Sequence, residues 1–451
     1  MNQDQILDLK TDLVNELTNS GLSRRDALKL LGLVPFMLSA TPSVVSAKSQ
    51  SSASANILIV GGGAAGCTVA NFISKNIPNA TITIIEPDEN SIKYQPGQTM
   101  IGGGLWKSED ILKDTKDFLP KDAKWIKDIV VEFNPDNNLV KTKNSGKLSY
   151  DFLICATGLE LNFEGIEGIS KDIIGTNGVG SIYLFSGAEK TWGEISKFVN
   201  SATPDKVALF SEPAGSIKCG GAPKKIAFLT SARLREAKKQ ATLNFRTNKG
   251  NFFGTKVYND STIKYMNDRN IYFNFKSTLV SVDVGSKTAT FKDENEGLNK
   301  INYDFIHIVP PMRTVKAVRE NSDLANEKGW VDVDKFSTIH KKYDNIFAIG
   351  DNSSLPTSKT GAAIREQYKV LGENLISRID GKELKAKYDG YTACPLITDI
   401  GRVMMAEFNY QNEPAPSLPF LDPAKERWIW WLVKAYLLKP MYFYGMLKAR
   451  A

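Results

Sequence analysis

Asn56-Ile57-Leu58-Ile59-Val60 runs directly into Gly61-Gly62-Gly63-Ala64-Ala65-Gly66 and then into Cys67-Thr68-Val69-Ala70-Asn71-Phe72-Ile73. Four consecutive β-favouring apolar residues predict a strand buried on both faces, as in a parallel sheet. The glycines after it spell G-x-G-x-x-G, and the helical run beyond supplies the strand, turn and helix that this motif requires. Gly61 permits the tight turn, and Gly63 lets the backbone around Ala64 and Ala65 approach a pyrophosphate. Gly66 allows close packing of helix on strand. The helix N-terminus adds partial positive charge for the phosphates. A second strand over 81–85 ends at Glu86, twenty residues past Gly66, where a carboxylate takes ribose hydroxyls. An adenine dinucleotide site follows.

The 451 residues make room for two to three domains at about 150 residues each. With 42% hydrophobic and 24% charged residues, wholesale disorder and fibrous repeats are excluded. The charge of +7 is a mild excess, so no nucleic-acid partner is expected. Four cysteines without C-x-x-C spacing and two histidines, His307 and His340, leave no material for zinc, c-type haem or a disulfide scaffold. No metal site is expected. Cys67 falls in the first helix and Cys155 in a buried strand, where cysteine acts as a small hydrophobe; His307 reads as a packed strand residue. Cys219 precedes a helix over 223–238 and follows Lys218, so helix dipole and ammonium favour its thiolate. Cys394 falls in the turn-rich Tyr388-Asp389-Gly390-Tyr391-Thr392-Ala393-Cys394-Pro395 and reads as a second loop thiol.

Two further segments choose between dinucleotides. Phe152-Leu153-Ile154-Cys155-Ala156-Thr157-Gly158 and Asn345-Ile346-Phe347-Ala348-Ile349-Gly350-Asp351 resemble the flavoprotein family with two dinucleotide-binding domains. The resemblance implies FAD, with Ala156, Thr157 and Gly158 beside it and Gly350-Asp351 holding the ribityl chain. Lys359-Thr360-Gly361 opens a helix whose N-terminus is aimed at the flavin pyrimidine, with Lys359 in the flavin or quinone pocket or simply solvated. In the middle domain, the strand over 206–210 leads into Ser211-Glu212-Pro213-Ala214-Gly215, which cannot cradle a phosphate. A nicotinamide cofactor is therefore disfavoured, although strand-like stretches at 256–259 and 271–275 keep an α/β rhythm.

Four longer strings carry a closer resemblance. C-G-G-A-P from Cys219, K-Y-D-G-Y-T-A-C-P-L ending at Leu396, Y-Q-P-G-Q-T-M-I-G-G-G-L-W from Tyr94 and H-I-V-P-P-M from His307 resemble the sulfide:quinone oxidoreductase family, in the branch that includes the mitochondrial enzyme. The resemblance spans residue 56 to the C-terminus and adds Gln95 to the cofactor residues. It implies that hydrosulfide attacks a disulfide or sulfur-bridged Cys219/Cys394 pair, that the persulfide forms on Cys394, and that Cys219 reacts with the flavin. Sulfur leaves to an acceptor and a membrane quinone collects the electrons. Some branches tether FAD through a cysteine, but none occurs between Cys67 and Cys155, so noncovalent FAD is expected. The histidines that some branches use for proton transfer have no counterpart here, which leaves the proton acceptor unassigned. A structural disulfide is the competing reading of the pair. The competing functions are a flavocytochrome c sulfide dehydrogenase subunit, a type II NADH dehydrogenase and a non-enzymatic flavin-bound redox protein.

The two ends of the chain carry further expectations. Ser23-Arg24-Arg25, the apolar residues 30–38 and Ser43-Val44-Val45-Ser46-Ala47 resemble a twin-arginine export signal, which places the chain at the periplasmic face of a membrane. Over 428–444, seven of seventeen residues are aromatic, interspersed with Lys434 and Lys439, which predicts two short interfacial helices that rest residues 428–447 on a bilayer surface. Core packing, or a dimer interface that makes a homo-oligomer, is the alternative. The expected architecture is α/β with two Rossmann-like domains: signal 1–47, linker 48–55, FAD domain 56–163 and 310–372, second Rossmann-like domain 164–309, and C-terminal segment 373–451.

Overall fold

The computed structural model describes residues 50–450 other than 296 and 322, together with seven residues between 11 and 24. The expected export signal therefore lies, those seven apart, outside the described residues. The elements that build the site begin with β1 (Asn56–Val60), α1 (Ala64–Asn76), β2 (Thr81–Ile85), β3 (Lys124–Ile126), β4 (Phe152–Cys155) and β5 (Val179–Gly180). The middle of the chain gives β6 (Val207–Glu212), α2 (Ala222–Glu236), β7 (Thr242–Thr247), α3 (Lys256–Asp268), β8 (Ile271–Asn274) and β9 (Phe305–His307). Beyond them come β10 (Ile346–Ala348), α4 (Gly361–Ile379), β11 (Thr392–Asp399) and β12 (Arg402–Phe408).

The fold is α/β, as the sequence leads one to expect. One parallel sheet has the order β10-β4-β1-β2-β3 and a second the order β5-β9-β6-β7-β8. In β1, Ile57, Leu58, Ile59 and Val60 are all 4% exposed or less, and each buried side chain contributes about 1.5–3 kcal/mol. From β1 the chain moves to β2 on one side and later returns to β4 on the other. That reversal of direction opens a crevice beyond the carboxyl ends of the strands, where α/β sheets bind ligands.

Two local expectations are corrected. Residues 256–259, read as strand-like, open α3 instead: Tyr258, Thr262, Tyr265 and Met266 are buried at helical spacing, and that face outweighs the β preference of Val257 and Tyr258. Cys394 sits in β11, which pairs antiparallel with β12, and not in a loop. Pro395 is tolerated because this is a two-stranded ribbon. Among the described residues no helix is long and apolar enough to cross a membrane.

Candidate active site

A cavity of about 440 Å³ lies at that crevice. Gly61, Gly63, Ala64 and Ala65 after β1, Glu86 after β2, Ala156, Thr157 and Gly158 after β4, and Asp351 after β10 all line it. Gln95, Lys359 and Thr360 line it as well. Gly66 and Gly350 do not. Gly66 stands behind the turn, where a Cβ would lie 1.8 Å from the Gly61 carbonyl oxygen, and the Gly350 N–H donates to Gln367 Oε1 at 3.0 Å. Gly61 has φ +106°, and a Cβ there would lie 2.3 Å from the Ala156 carbonyl oxygen, so the turn requires glycine. Glu86 is fixed by the Gly62 N–H at 2.8 Å and the Asp88 N–H at 2.9 Å; burial pushes its carboxyl up and those two donors oppose it.

Three observations fit these residues to FAD. Nothing comes within 4 Å of a Cβ placed on Gly63 at the start of α1, so backbone is open to a phosphate there. The Thr157 hydroxyl is buried in the cavity wall without a partner, an acceptor or donor waiting for a ligand. Thr360 caps α4 by accepting from the Ala363 N–H at 3.1 Å, and Gly361 and Ala362 present that helix start to the cavity.

The cysteine pair closes one wall. Cys219 lines the cavity, and Cys394, 5% exposed, touches it from behind; both are free thiols in hydrogen-bonding contact. Gly221 makes the contact possible, because a Cβ there would lie 2.1 Å from Cys394 Sγ. The Cys219 backbone is locked in the left-handed region, at φ +49°. Its N–H donates to the Lys359 carbonyl at 2.9 Å, and its carbonyl accepts from Tyr183 Oη at 3.0 Å and the Ala222 N–H at 2.8 Å. Such a conformation costs about 1–3 kcal/mol and persists only where surrounding bonds enforce it.

The hydrogen bond from Cys394 and, against burial, the ammonium of Lys225 hold the Cys219 thiol well below its ordinary range. The same bond and burial push Cys394 up. Negative charge on the pair is thus favoured on Cys219 over Cys394. Lys225 Nζ lies 3.6 Å from Cys219 Sγ. By contrast burial drives Cys67 and Cys155 up to about 12 and His307 down to about 3, so all three are neutral core residues.

Sequence reasoning assigned the cation beside Cys219 to Lys218 and missed Lys225, six residues on and one helical turn into α2. It also placed Lys434 and Lys439 at the lipid headgroups. Both are buried. Over 428–446 the chain is helical, with two π-helical turns, Val433–Leu437 and Met441–Met446, and it packs over the cavity. Lys434 Nζ donates to the Pro96 carbonyl at 3.1 Å and sits 5.4 Å from the Tyr94 ring. Burial, then the charge of Lys225, lowers its ammonium to about 7. Lys359, which also lines the cavity, is lowered to about 8 by burial, donates to the Ser353 carbonyl at 3.0 Å and stacks 4.0 Å from the Trp330 ring. It is not solvated.

Lys225→Met is expected to slow alkylation of Cys219 by iodoacetamide roughly tenfold at pH 7. The lowered thiol is ionised above its shifted midpoint; losing the cation raises that midpoint, so less thiolate is present at fixed neutral pH. An alkylation profile against pH that does not move contradicts the assignment.

A dinucleotide turn at a sheet crevice and a thiolate-bearing cysteine pair on the same cavity define an FAD-dependent oxidoreductase. Residues 55–366 match the family described as pyridine nucleotide-disulphide oxidoreductase. The chain is 42% identical over 398 residues to the mitochondrial sulfide:quinone oxidoreductase of Dictyostelium discoideum, covering 87% of this chain and 86% of that one. It is 36% identical over 396 residues to the mitochondrial sulfide:quinone oxidoreductase of Mus musculus, with the same coverage of 87% and 86%. The chain belongs to the pyridine nucleotide-disulphide oxidoreductase family and, within it, to the sulfide:quinone oxidoreductases. In fold it is similar to the sulfide:quinone oxidoreductase of Aquifex aeolicus, with a TM-score of 0.72, 19% identity and coverage of 88% of this chain and 92% of that one.

These relatives correct one expectation. Proteins this similar are mitochondrial by name, which overturns twin-arginine export to a periplasmic face. An arginine pair ahead of a short apolar run specifies charge followed by greasiness, a pattern too short to fix an address.

Proposed function

We propose that the chain oxidises hydrogen sulfide at the Cys219/Cys394 pair and passes two electrons to a membrane quinone. The observation that carries this reading is the contact of Cys219 with Cys394 beside Lys225, on the wall of the dinucleotide cavity. Hydrosulfide adds to Cys394 of an oxidised pair; the bond to Cys219 breaks, leaving a persulfide on Cys394 and a thiolate on Cys219. Lys225 and Lys434 stabilise that thiolate. A sulfur acceptor removes the outer sulfur from Cys394, and the pair is oxidised again. Bound FAD would supply the two-electron oxidant that re-forms the Cys219–Cys394 bond from the two thiolates, with the quinone as the electron acceptor.

In this reading Gly61, Gly63, Ala64, Ala65 and Gly66 serve the pyrophosphate turn, Glu86 the ribose, and Asp351 the ribityl chain, with Gly350 shaping the turn that presents Asp351. Gln95, Ala156, Thr157, Gly158, Lys359 and Thr360 surround the ring system. Residues 56–163 and 310–372 form the FAD domain, 164–309 the second Rossmann-like domain, and 373–451 bring Cys394 and the helical segment. That segment rests on the bilayer through its outward side chains, Trp428 at 61% exposure and Phe420 at 73% just ahead of it.

Steady-state reduction of a short-chain quinone tests the reading. Sulfide is expected to support turnover and NADH none, because β6 ends at Glu212 and runs into Pro213, which offers no phosphate cradle. Turnover with NADH alone would overturn it.

A further inference from the structure

Strand alternation gives the β11–β12 ribbon two sides. Cys394 pairs with Ala406 and Leu396 with Met404, all buried. Ala393 pairs with Glu407 and Pro395 with Met405, and these four line the cavity on the face turned away from the sulfur pair. On that face most of the wall is apolar, and one carboxyl group interrupts it. Glu407 is 4% exposed. Its Oε1 accepts from Tyr391 Oη at 2.5 Å and its Oε2 from the Ser417 N–H at 2.8 Å, and the Ser417 hydroxyl donates to it too. Tyr391, itself 3% exposed, also accepts from Arg365 Nη2 at 3.4 Å, and both line the cavity.

A carboxyl that shares a short hydrogen bond with a phenol, with a guanidinium on the phenol's far side, is an arrangement that passes protons. Reducing a quinone to a quinol requires two electrons, supplied by sulfide oxidation, and two protons, and on the ribbon face away from Cys394 the hydrogen-bonded Tyr391 and Glu407 are placed to deliver them. We propose that Tyr391 and Glu407 are the proton donor of the acceptor half-reaction, an inference that rests on the quinone-reductase reading above. The Tyr391 O–H bond breaks as a quinone O–H bond forms, and Arg365 stabilises the phenolate. Glu407 relays a proton from solvent back to Tyr391, and a second pass delivers the second proton. The two half-reactions thereby occupy opposite faces of one β-ribbon.

Stopped-flow mixing of sulfide-reduced holoenzyme with a short-chain quinone, and separately with ferricyanide, which takes electrons and no protons, tests this. Tyr391→Phe and Glu407→Gln are expected to slow reoxidation by quinone about 10²-fold. Reoxidation by ferricyanide and the affinity for a non-reducible quinone analogue should hold, and Glu407→Asp should restore part of the rate. In the unsubstituted enzyme the quinone reaction should slow in D₂O. Wild-type rates with quinone in Tyr391→Phe, or equal slowing with ferricyanide, would overturn the relay. If Glu407→Gln does not fold, Tyr391→Phe, which keeps the ring in place, decides alone. Failure of quinone to reoxidise the unsubstituted enzyme would instead bring down the functional reading itself.

Discussion

Cys219→Ser is expected to keep its flavin absorbance while losing sulfide-driven bleaching by about 10³-fold or more. A serine at φ +49° keeps the same backbone bonds, its N–H donating to the Lys359 carbonyl and its carbonyl accepting from Tyr183 Oη and the Ala222 N–H, so the wall of the cavity stays in place. What disappears is the one thiolate that Lys225 and Cys394 sustain. Cys394→Ser is expected to lose bleaching to the same extent, since no persulfide can form. The fold accommodates both residues as free thiols, so a structural staple would give a different result: loss of flavin and a lowered melting temperature in both variants. Absorbance spectra of the purified variants, before and after anaerobic sulfide, separate the outcomes.

Gly61→Val is expected to yield colourless protein with FAD occupancy below about a tenth, for two reasons that act together. Valine does not adopt φ +106° without strain, and its Cβ would lie 2.3 Å from the Ala156 carbonyl oxygen, inside van der Waals contact. The turn must open, which moves the start of α1 away from the phosphates and Ala156 away from the ring. Flavin released by heat and quantified by fluorescence reads the effect. Full occupancy would mean that the cofactor does not depend on this turn.

The dinucleotide half of the site was legible because its signals are local. Strand β1, the glycines and Glu86 fall within about thirty residues, and each has a backbone reason to be what it is. The catalytic half is assembled from positions far apart in the chain. Cys394 was recognised as a thiol but misplaced in a loop, since Asp389-Gly390 and Pro395 look like a turn until β12 pairs with the strand. Lys434 meets Pro96, 338 residues away, and no local pattern distinguishes it from a lysine at a membrane surface. A lysine inside a long aromatic run was the available hint, because such a position is apolar on most sides. Tyr391 falls in K-Y-D-G-Y-T-A-C-P-L with no local sign of a role, and no local pattern marks Glu407, whose place at the cavity depends on the register that puts it opposite Ala393. Period-2 alternation in Ala393-Cys394-Pro395 shows that neighbours face opposite ways, but only the fold shows what lies on each side.

Electron entry through the cysteine pair is measured most directly by anaerobic titration of the purified holoenzyme with sulfide. Sulfide is expected to bleach the oxidised flavin band, an equal titration with NADH to leave it intact, and a short-chain quinone to restore it. Bleaching by NADH and not by sulfide would contradict the account, because electrons would then enter through the domain whose phosphate cradle is missing.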